Sequence, residues 1–155
     1  GPKGVGKSHL MSLFFQNQKA SYVMAPCRKI EDTWNNAKPE DLNVIKYYSG
    51  PIDAAVNSNP FGAEQLGVCF DDLGTETVPS KRFGEEKNVM AEILLARYDY
   101  RFYAMQNNLP HVPTHITTNI TGPQLIALYG DRLNDRLKEM CNVIVFPNEA
   151  KSRRK

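Results

Sequence analysis

The first eight residues of the sequence are of the types that hold phosphate groups. They read Gly-Pro-Lys-Gly-Val-Gly-Lys-Ser and fit the pattern G-x-x-x-x-G-K-[ST] at every fixed position. Glycines let a loop curl so that its backbone N–H groups point at a phosphate, and the helix that follows adds the free N–H groups of its first turn. Lys7 would reach the β- and γ-phosphates, and Ser8 would offer its hydroxyl to Mg²⁺. The loop therefore predicts a nucleoside triphosphate with Mg²⁺ as ligand, contacted by Gly1, Lys3, Gly4, Val5, Gly6, Lys7, Ser8 and His9.

An acidic pair follows an apolar run in the middle of the sequence. Residues 66–70 read Leu-Gly-Val-Cys-Phe, and Asp71 and Asp72 come directly after them. An apolar run without polar alternation is typical of a strand buried on both faces of a parallel sheet. Ligands of such sheets bind beyond the carboxyl ends of the strands, where Asp71 could hold Mg²⁺ and Asp72 could orient an attacking water. Taken alone, the pair is also compatible with a simple turn that ends the strand.

Two further groups of polar residues stand near the ends of predicted elements. Thr117, Thr118 and Asn119 end the next strand, where an uncharged side chain could bond the γ-phosphate or the water, or could cap the following helix. Arg132 and Arg136 are four residues apart on a predicted helix and so share one face. This spacing is common on solvated helix faces, but an arginine can also stabilise phosphate charge in a neighbouring subunit. Spacing alone does not decide between these interpretations.

The predicted elements alternate between strands and helices along the chain. This order indicates an α/β fold with a mostly parallel sheet and crossover helices. The predicted helices are 7–18, 30–36, 84–107, 122–129 and 131–140, and the predicted strands are 21–24, 44–48, 66–70, 115–118 and 143–146.

Length and composition limit the possible classes of protein. The 155 residues correspond to one domain, and 41% hydrophobic with 23% charged residues is an ordinary globular composition. The apolar runs are too short to span a bilayer, so we expect no membrane partner and a cytoplasmic location. The net charge is +2, but residues 151–155 alone carry +4, so residues 1–150 sum to −2. The overall charge therefore does not indicate a nucleic-acid partner. Three widely spaced cysteines disfavour a disulfide framework or a zinc site.

In this order, the motifs resemble those of the AAA+ ATPases of the bacterial and phage helicase-loader group and of the related transposition-helper ATPases (the DnaC/IstB-like set). These belong to the P-loop NTPase superfamily. The most specific segments are Pro-Thr-His-Ile-Thr-Thr-Asn at 113–119 and Gly-Asp-Arg-Leu-Asn-Asp-Arg-Leu at 130–137. The resemblance covers nearly the whole chain and is loosest over 37–65. It implies a single AAA+ core over 1–155 with a three-layer α/β/α fold and a mostly parallel sheet. This core would lack the first strand of the sheet and a full helical lid, and the chain would be a fragment of a longer protein.

The resemblance also implies roles for individual residues, all of them around a bound nucleotide. Lys7 and Ser8 resemble the Walker A pair, Asp71 resembles the Mg²⁺-associated Walker B acid, and Asp72 takes the place of the usual catalytic glutamate. Asn119 resembles sensor 1. Arg136 resembles the arginine finger, with Arg132 as its near alternative, and Arg153 in the basic tail 151–155 resembles the sensor 2 arginine.

The function that the resemblance implies is ATP binding and Mg²⁺-dependent ATP hydrolysis in DNA replication. The chain would form a homo-oligomer with its arginine finger in trans, load a replicative helicase and bind single-stranded DNA. The candidates for DNA contact are Arg28, Lys29, Tyr47, Tyr48, Phe61 and the basic tail 151–155. Each aromatic side chain also fits core or loop packing, and the tail also fits a solvated chain end. Three alternatives stay open: a transposition helper with a transposase partner, a small-molecule kinase, and a nucleotide-binding module without turnover.

Overall fold

The computed structural model describes residues 2–17, 22–38, 40–53, 65–109 and 111–147. Gly1, Phe61, Arg153 and the tail 151–155 lie outside the described residues. The helices are α1 (Lys7–Asn17), α2 (Cys27–Asn36), α3 (Val44–Ser49), α4 (Val89–Gln106), α5 (Gly122–Tyr129) and α6 (Asp131–Met140), and the strands are β1 (Tyr22–Pro26), β2 (Ile52–Asp53), β3 (Gln65–Leu73), β4 (Ser80–Arg82), β5 (Glu85–Lys87) and β6 (Thr114–Thr118). The predicted α/β class is confirmed. No helix of the described part has the length and apolar character that a membrane crossing requires.

The central strand of the sheet is β3. Strands β1 and β6 pair with it in parallel on its two sides, and β2 pairs antiparallel with its first two residues. The sheet is therefore mixed, with a parallel core of three strands. Because parallel strands run the same way, Pro26, Leu73 and Thr118 end at the same edge of the sheet.

The two faces of the sheet are covered by different helices. Val68 and Phe70 of β3 belong to the main hydrophobic core, which also includes residues of α2, α4 and α6. On β1, Tyr22 is fully buried outside that cluster, and its hydroxyl donates to the Met11 carbonyl oxygen of α1 at 2.6 Å. Helix α1 therefore contacts the sheet at Tyr22, where β1 begins.

Gly67 marks a close approach of two chain segments next to β3. A β-carbon at this position would overlap the Pro113 carbonyl oxygen and would lie 2.6 Å from Pro113 Cγ. The same carbonyl accepts the Val68 N–H at 3.0 Å. The absence of a side chain at Gly67 thus lets the segment before β6 approach β3 and start the pairing that aligns the two strand ends.

A buried arginine joins three segments behind the sheet. Arg97 of α4 is 4% exposed and donates to the carbonyl oxygens of Tyr48 (3.1 Å), Gly50 (2.5 Å) and Pro113 (3.1 Å) and to Thr114 Oγ1 (2.8 Å). All four acceptors are neutral. Burial lowers the pKa of Arg97 to about 10, so the guanidinium is still charged at neutral pH. Arg97 fixes the end of α3 and the start of β6 to the middle of α4.

One predicted strand and the start of one predicted helix are wrong, because local turn and cap chemistry overrides the apolar pattern. Residues 44–49 form a helix, since the Asn43 side chain accepts the Lys46 N–H at 3.0 Å and caps it. The predicted start of the long helix at 84 is wrong, because β4 and β5 form a hairpin there. Its turn residues Phe83 and Gly84 have φ values of 47° and 82°, both in the left-handed region that two-residue hairpin turns use.

The predicted last strand at 143–146 is also wrong. Val143, Ile144 and Val145 are 73–80% exposed, and none of the described strands pairs with them. An apolar run becomes a strand only where a neighbouring strand offers backbone hydrogen bonds. Within the described part of the chain this segment has no such neighbour.

Candidate functional site

The loop before α1 has the backbone that its glycines predict. Gly4 and Gly6 have φ values of 81° and 97°, which side-chain-bearing residues rarely adopt. Val5 between them is 7% exposed and anchors the loop, and the Leu10 N–H donates to the Gly6 carbonyl oxygen at 2.8 Å as α1 begins. The loop therefore leads directly into the first turn of a helix, a position at which helices commonly bind anions.

Lys7 connects this loop to the end of β6. Its Nζ donates to the Pro2 carbonyl oxygen at 2.8 Å and to Asn119 Oδ1 at 2.6 Å. Asn119 follows Thr118 at the end of the strand, 112 residues away along the chain. The two motifs that the sequence singles out separately therefore meet in the fold.

Asn119 is also bonded to the acidic pair. Its Nδ2 donates to Asp72 Oδ1 at 3.0 Å, while its Oδ1 accepts from Lys7. An amide group is suited to this position because its oxygen faces the cation and its NH₂ faces the carboxylate. Lys7, Asn119 and Asp72 form one hydrogen-bonded chain, which we call the polar bridge. It joins the glycine loop, β6 and β3.

Asp72 has an unusual backbone conformation. Its φ is 56°, and the pairing of β3 with β6 shifts register between Phe70 and Leu73. Such irregularities re-aim a side chain at the end of a strand and are frequent near active sites. Thr75 stabilises the turn that follows, donating to the Asp72 carbonyl oxygen from its N–H at 3.2 Å and its Oγ1 at 2.8 Å. The irregularity accompanies the placement of the Asp72 carboxylate beside Asn119.

Thr117 holds both aspartates, a role that its position in the sequence does not predict. Its hydroxyl donates to Asp71 Oδ1 at 2.6 Å and accepts the Asp72 N–H at 2.9 Å. The side chain is buried, at 5% exposure. A hydroxyl is needed here because it must donate and accept at once. The local sequence carries no signal for this role, because it depends on the register that brings the end of β6 beside the end of β3.

The oxygen donors near this edge of the sheet fit Mg²⁺. Ser8 offers a hydroxyl and Asp71 a carboxylate, which are the hard ligands that this cation takes together with waters and phosphate oxygens. The described residues contain no group of three or more His, Cys, Asp or Glu side chains that could hold a metal. The donor set therefore suits a cation that arrives with a phosphate ligand better than a protein-held metal. His111 and His115 belong to no such group.

The predicted finger arginine is engaged within its own chain. Arg136 Nη1 donates to the Tyr98 hydroxyl at 2.8 Å and lies 3.3 Å from Glu139 Oε2, with its guanidinium 4.5 Å from the Tyr98 ring centre. The side chain is still 42% exposed. Arg132, one turn earlier on α6, is exposed. Both arginines lie on the helix that follows α5, and the structure does not bring Arg136 into the polar bridge.

The remaining predicted contacts have other environments. Lys3 and His9 are exposed beside the loop, and Arg28 is paired with Asp32 at 3.4 Å. Lys29 is exposed on α2. Tyr47 and Tyr48 are half-buried against the core and contact each other edge to face at 4.9 Å, which favours the packing interpretation. These side chains lie outside the polar bridge.

Cysteine nucleophiles do not fit this site. Burial raises the pKa of Cys69 to about 12 and also raises the pKa of Cys27, so both thiols keep their protons at neutral pH. The polar groups that converge are a lysine, an amide, two carboxylates and a threonine hydroxyl, which can bind and polarise an anionic ligand.

Comparison of the chain with protein-family models, curated proteins and solved structures gave no match.

Proposed function

We propose that the protein binds ATP with Mg²⁺ and hydrolyses it, as an AAA+ ATPase of the P-loop NTPase superfamily. The observation that carries the proposal is the polar bridge: Lys7, Asn119 and Asp72 meet although they come from three separate segments. The glycine loop and the first turn of α1 would hold the phosphates, and Lys7 would exchange its present acceptors for phosphate oxygens. The resemblance of the motifs to helicase loaders supports this assignment.

Hydrolysis needs a group that orients water toward the γ-phosphorus, in line with the bond to the leaving ADP. Asp72 is suited to this role because its carboxylate accepts a hydrogen bond from Asn119 and could accept the proton of a water. Ser8 and Asp71 would hold Mg²⁺, which neutralises phosphate charge when it is bound. A cation from a neighbouring subunit would stabilise the charge that develops during transfer.

The test of binding compares the chain with its Lys7→Ala variant. We expect Lys7→Ala to weaken Mg²⁺–ATP binding by about 10–100-fold, because a charge-assisted hydrogen bond to phosphate contributes about 1.5–3 kcal/mol. Titration calorimetry measures the affinity, with adenosine as the ligand that lacks phosphates. Lys46→Ala, at an exposed lysine of α3, is the matched control. Equal ATP affinity in the wild type and Lys7→Ala would show that the loop is not the phosphate site.

A second prediction concerns the arginine in trans. We expect the ATPase rate per chain to rise with protein concentration and to fall by about 10³–10⁵-fold in Arg136→Ala. Mixing Arg136→Ala with Lys7→Ala should restore turnover, since one variant supplies an intact nucleotide site and the other an intact arginine. Arg132→Ala in the same assay distinguishes the two candidates. A rate per chain that is independent of concentration, with no recovery in the mixture, would contradict a finger from the neighbour.

The role in DNA replication is proposed on the resemblance, with single-stranded DNA and a replicative helicase as partners. Adding single-stranded DNA to the ATPase assay tests the first partner, and stimulation of turnover is the expected result. A transposition helper would share this chemistry and differ in its protein partner. A chain that binds ATP but shows no turnover dependent on Asp72 would be a nucleotide-binding module instead.

A further inference from the structure

A second polar contact lies behind the acidic pair, in the loop that follows Asp72. Glu76 is 9% exposed and accepts hydrogen bonds on both carboxylate oxygens. Oε2 accepts the Gly74 N–H at 3.0 Å, and Oε1 accepts the hydroxyl of Tyr129. Tyr129 is the last residue of α5 and is 7% exposed. The contact therefore joins the turn after β3 to the far end of α5.

This contact completes a closed path through the site. Helix α5 begins at Gly122, three residues after Asn119, and ends at Tyr129. Glu76 follows Asp72 by four residues, and Asp72 is bonded to Asn119. The path from Asp72 through the turn, Tyr129, α5 and Asn119 thus returns to Asp72.

Gly74 connects the turn to this contact. Its φ of 94° lies in the left-handed region, and a β-carbon there would lie 2.9 Å from Ile120 Cγ2. The glycine therefore has little room, and its N–H is held by the Glu76 carboxylate. Burial, and then the bond to Glu76, raise the pKa of Tyr129, so its hydroxyl keeps the proton that it donates.

The end of α5 has an independent support. Asn88 Nδ2 donates to the Leu128 carbonyl oxygen at 2.8 Å, and the Asn88 side chain also caps α4 by accepting the Ala91 N–H at 3.1 Å. Removing the Tyr129 hydroxyl would leave α5 attached to α4. The hydroxyl is therefore not required to hold the helix, and its specific effect falls on Glu76 and the turn.

We propose that Glu76 and Tyr129 are positioning residues for Asp72, and that their buried hydrogen bond couples the geometry of its carboxylate to the helix pair α5–α6. The proposal rests on the proposed ATPase function. A coupling of this kind acts on the chemical step, because a small misplacement of a catalytic group lowers the rate more than it lowers ligand affinity. It also links Asp72 to the helix that carries Arg132 and Arg136.

The experiment measures kcat, KM and Mg²⁺–ATP affinity in Tyr129→Phe, which deletes only the hydroxyl. We expect kcat to fall about tenfold, with the affinity and KM changed by less than about twofold. Glu76→Gln retains one acceptor oxygen, so its kcat should lie between the kcat values of the wild type and Tyr129→Phe. Tyr103→Phe, at an exposed tyrosine of α4, is the control.

The double variant Asp72→Asn/Tyr129→Phe separates positioning from general destabilisation. If Tyr129 acts through Asp72, adding Tyr129→Phe to Asp72→Asn should change the residual turnover by less than about twofold. Losses that multiply in the double variant would overturn the inference, as would a Tyr129→Phe variant that keeps the wild-type kcat. A wild-type chain that binds ATP but does not hydrolyse it would instead contradict the proposed ATPase, and the inference with it.

Discussion

Asp72→Asn should lower kcat for ATP hydrolysis by about 10²–10⁴-fold and leave Mg²⁺–ATP affinity within about threefold of the wild type. The substitution removes the negative charge and the ability to accept a proton from water. It keeps the side-chain length and, with the amide oxygen facing Asn119, the acceptor for Asn119 Nδ2. Steady-state rates with saturating ATP, and separate binding titrations, measure the two quantities.

Asparagine is the right replacement because of the backbone at this position. Asp72 has a φ of 56°, and asparagine is among the residues that adopt the left-handed region most readily. A loss of turnover can therefore be attributed to the lost carboxylate and not to a rearranged strand end. Asp99→Asn, at an exposed aspartate of α4, should leave kcat unchanged. Wild-type turnover in Asp72→Asn would exclude Asp72 as the residue that activates water.

Arg97→Met should lower the free energy of unfolding by about 3 kcal/mol. Methionine fills much of the volume, but the carbonyl oxygens of Tyr48 and Gly50 lose the donors that satisfy them in the buried state. The Thr114 hydroxyl loses its donor as well, whereas the Pro113 carbonyl keeps the Val68 N–H. An acceptor left without a partner in the interior costs about 1–3 kcal/mol, and these acceptors are partly buried, so we expect a total near the middle of the combined range. Urea unfolding measures the change, provided that the m value stays constant.

The control for Arg97 is one helical turn away. Arg101 makes a long contact of 3.4 Å to the Glu139 carbonyl oxygen and lies near the protein surface. Arg101→Met should change the free energy of unfolding by less than about 1 kcal/mol. Arg97→Lys keeps the charge but not the planar fork of donors, so we expect an intermediate loss. If Arg97→Met were as stable as the wild type, the buried arginine would not be what joins these segments.

The sequence predicted the parts of the fold that depend on local pattern. The strand at 66–70 was identified because its apolar residues are continuous, and the structure places Val68 and Phe70 in the core. The glycine loop is predicted from the pattern G-x-x-x-x-G-K-[ST], and in the structure its Gly4 and Gly6 have the left-handed backbone that glycine allows. In both cases the residue type itself carries the physical requirement.

The parts that the sequence did not predict depend on partners far along the chain. The side chain of Thr117 is important only because β6 lies beside β3, and that of Glu76 only because Tyr129 reaches it across 53 residues. In the sequence, Arg97 looks like any other arginine of a helix, because the neutral acceptors that bury it come from distant parts of the chain. A buried polar group is stable only when its partners are placed, and a single sequence does not reveal that placement.

The polar bridge determines which opening fluctuations of the native chain a bound ligand would suppress. The Lys7–Asn119 hydrogen bond closes a loop of 112 residues, which contains all six described strands. A ligand held at both ends of that loop would stabilise the native chain against every fluctuation that separates α1 from β6. Amide hydrogen exchange in the strands between them would then report ligand occupancy at a distance. A nucleotide bound there would raise the free energy of openings that separate α1 from β6 more than the free energy of local fraying.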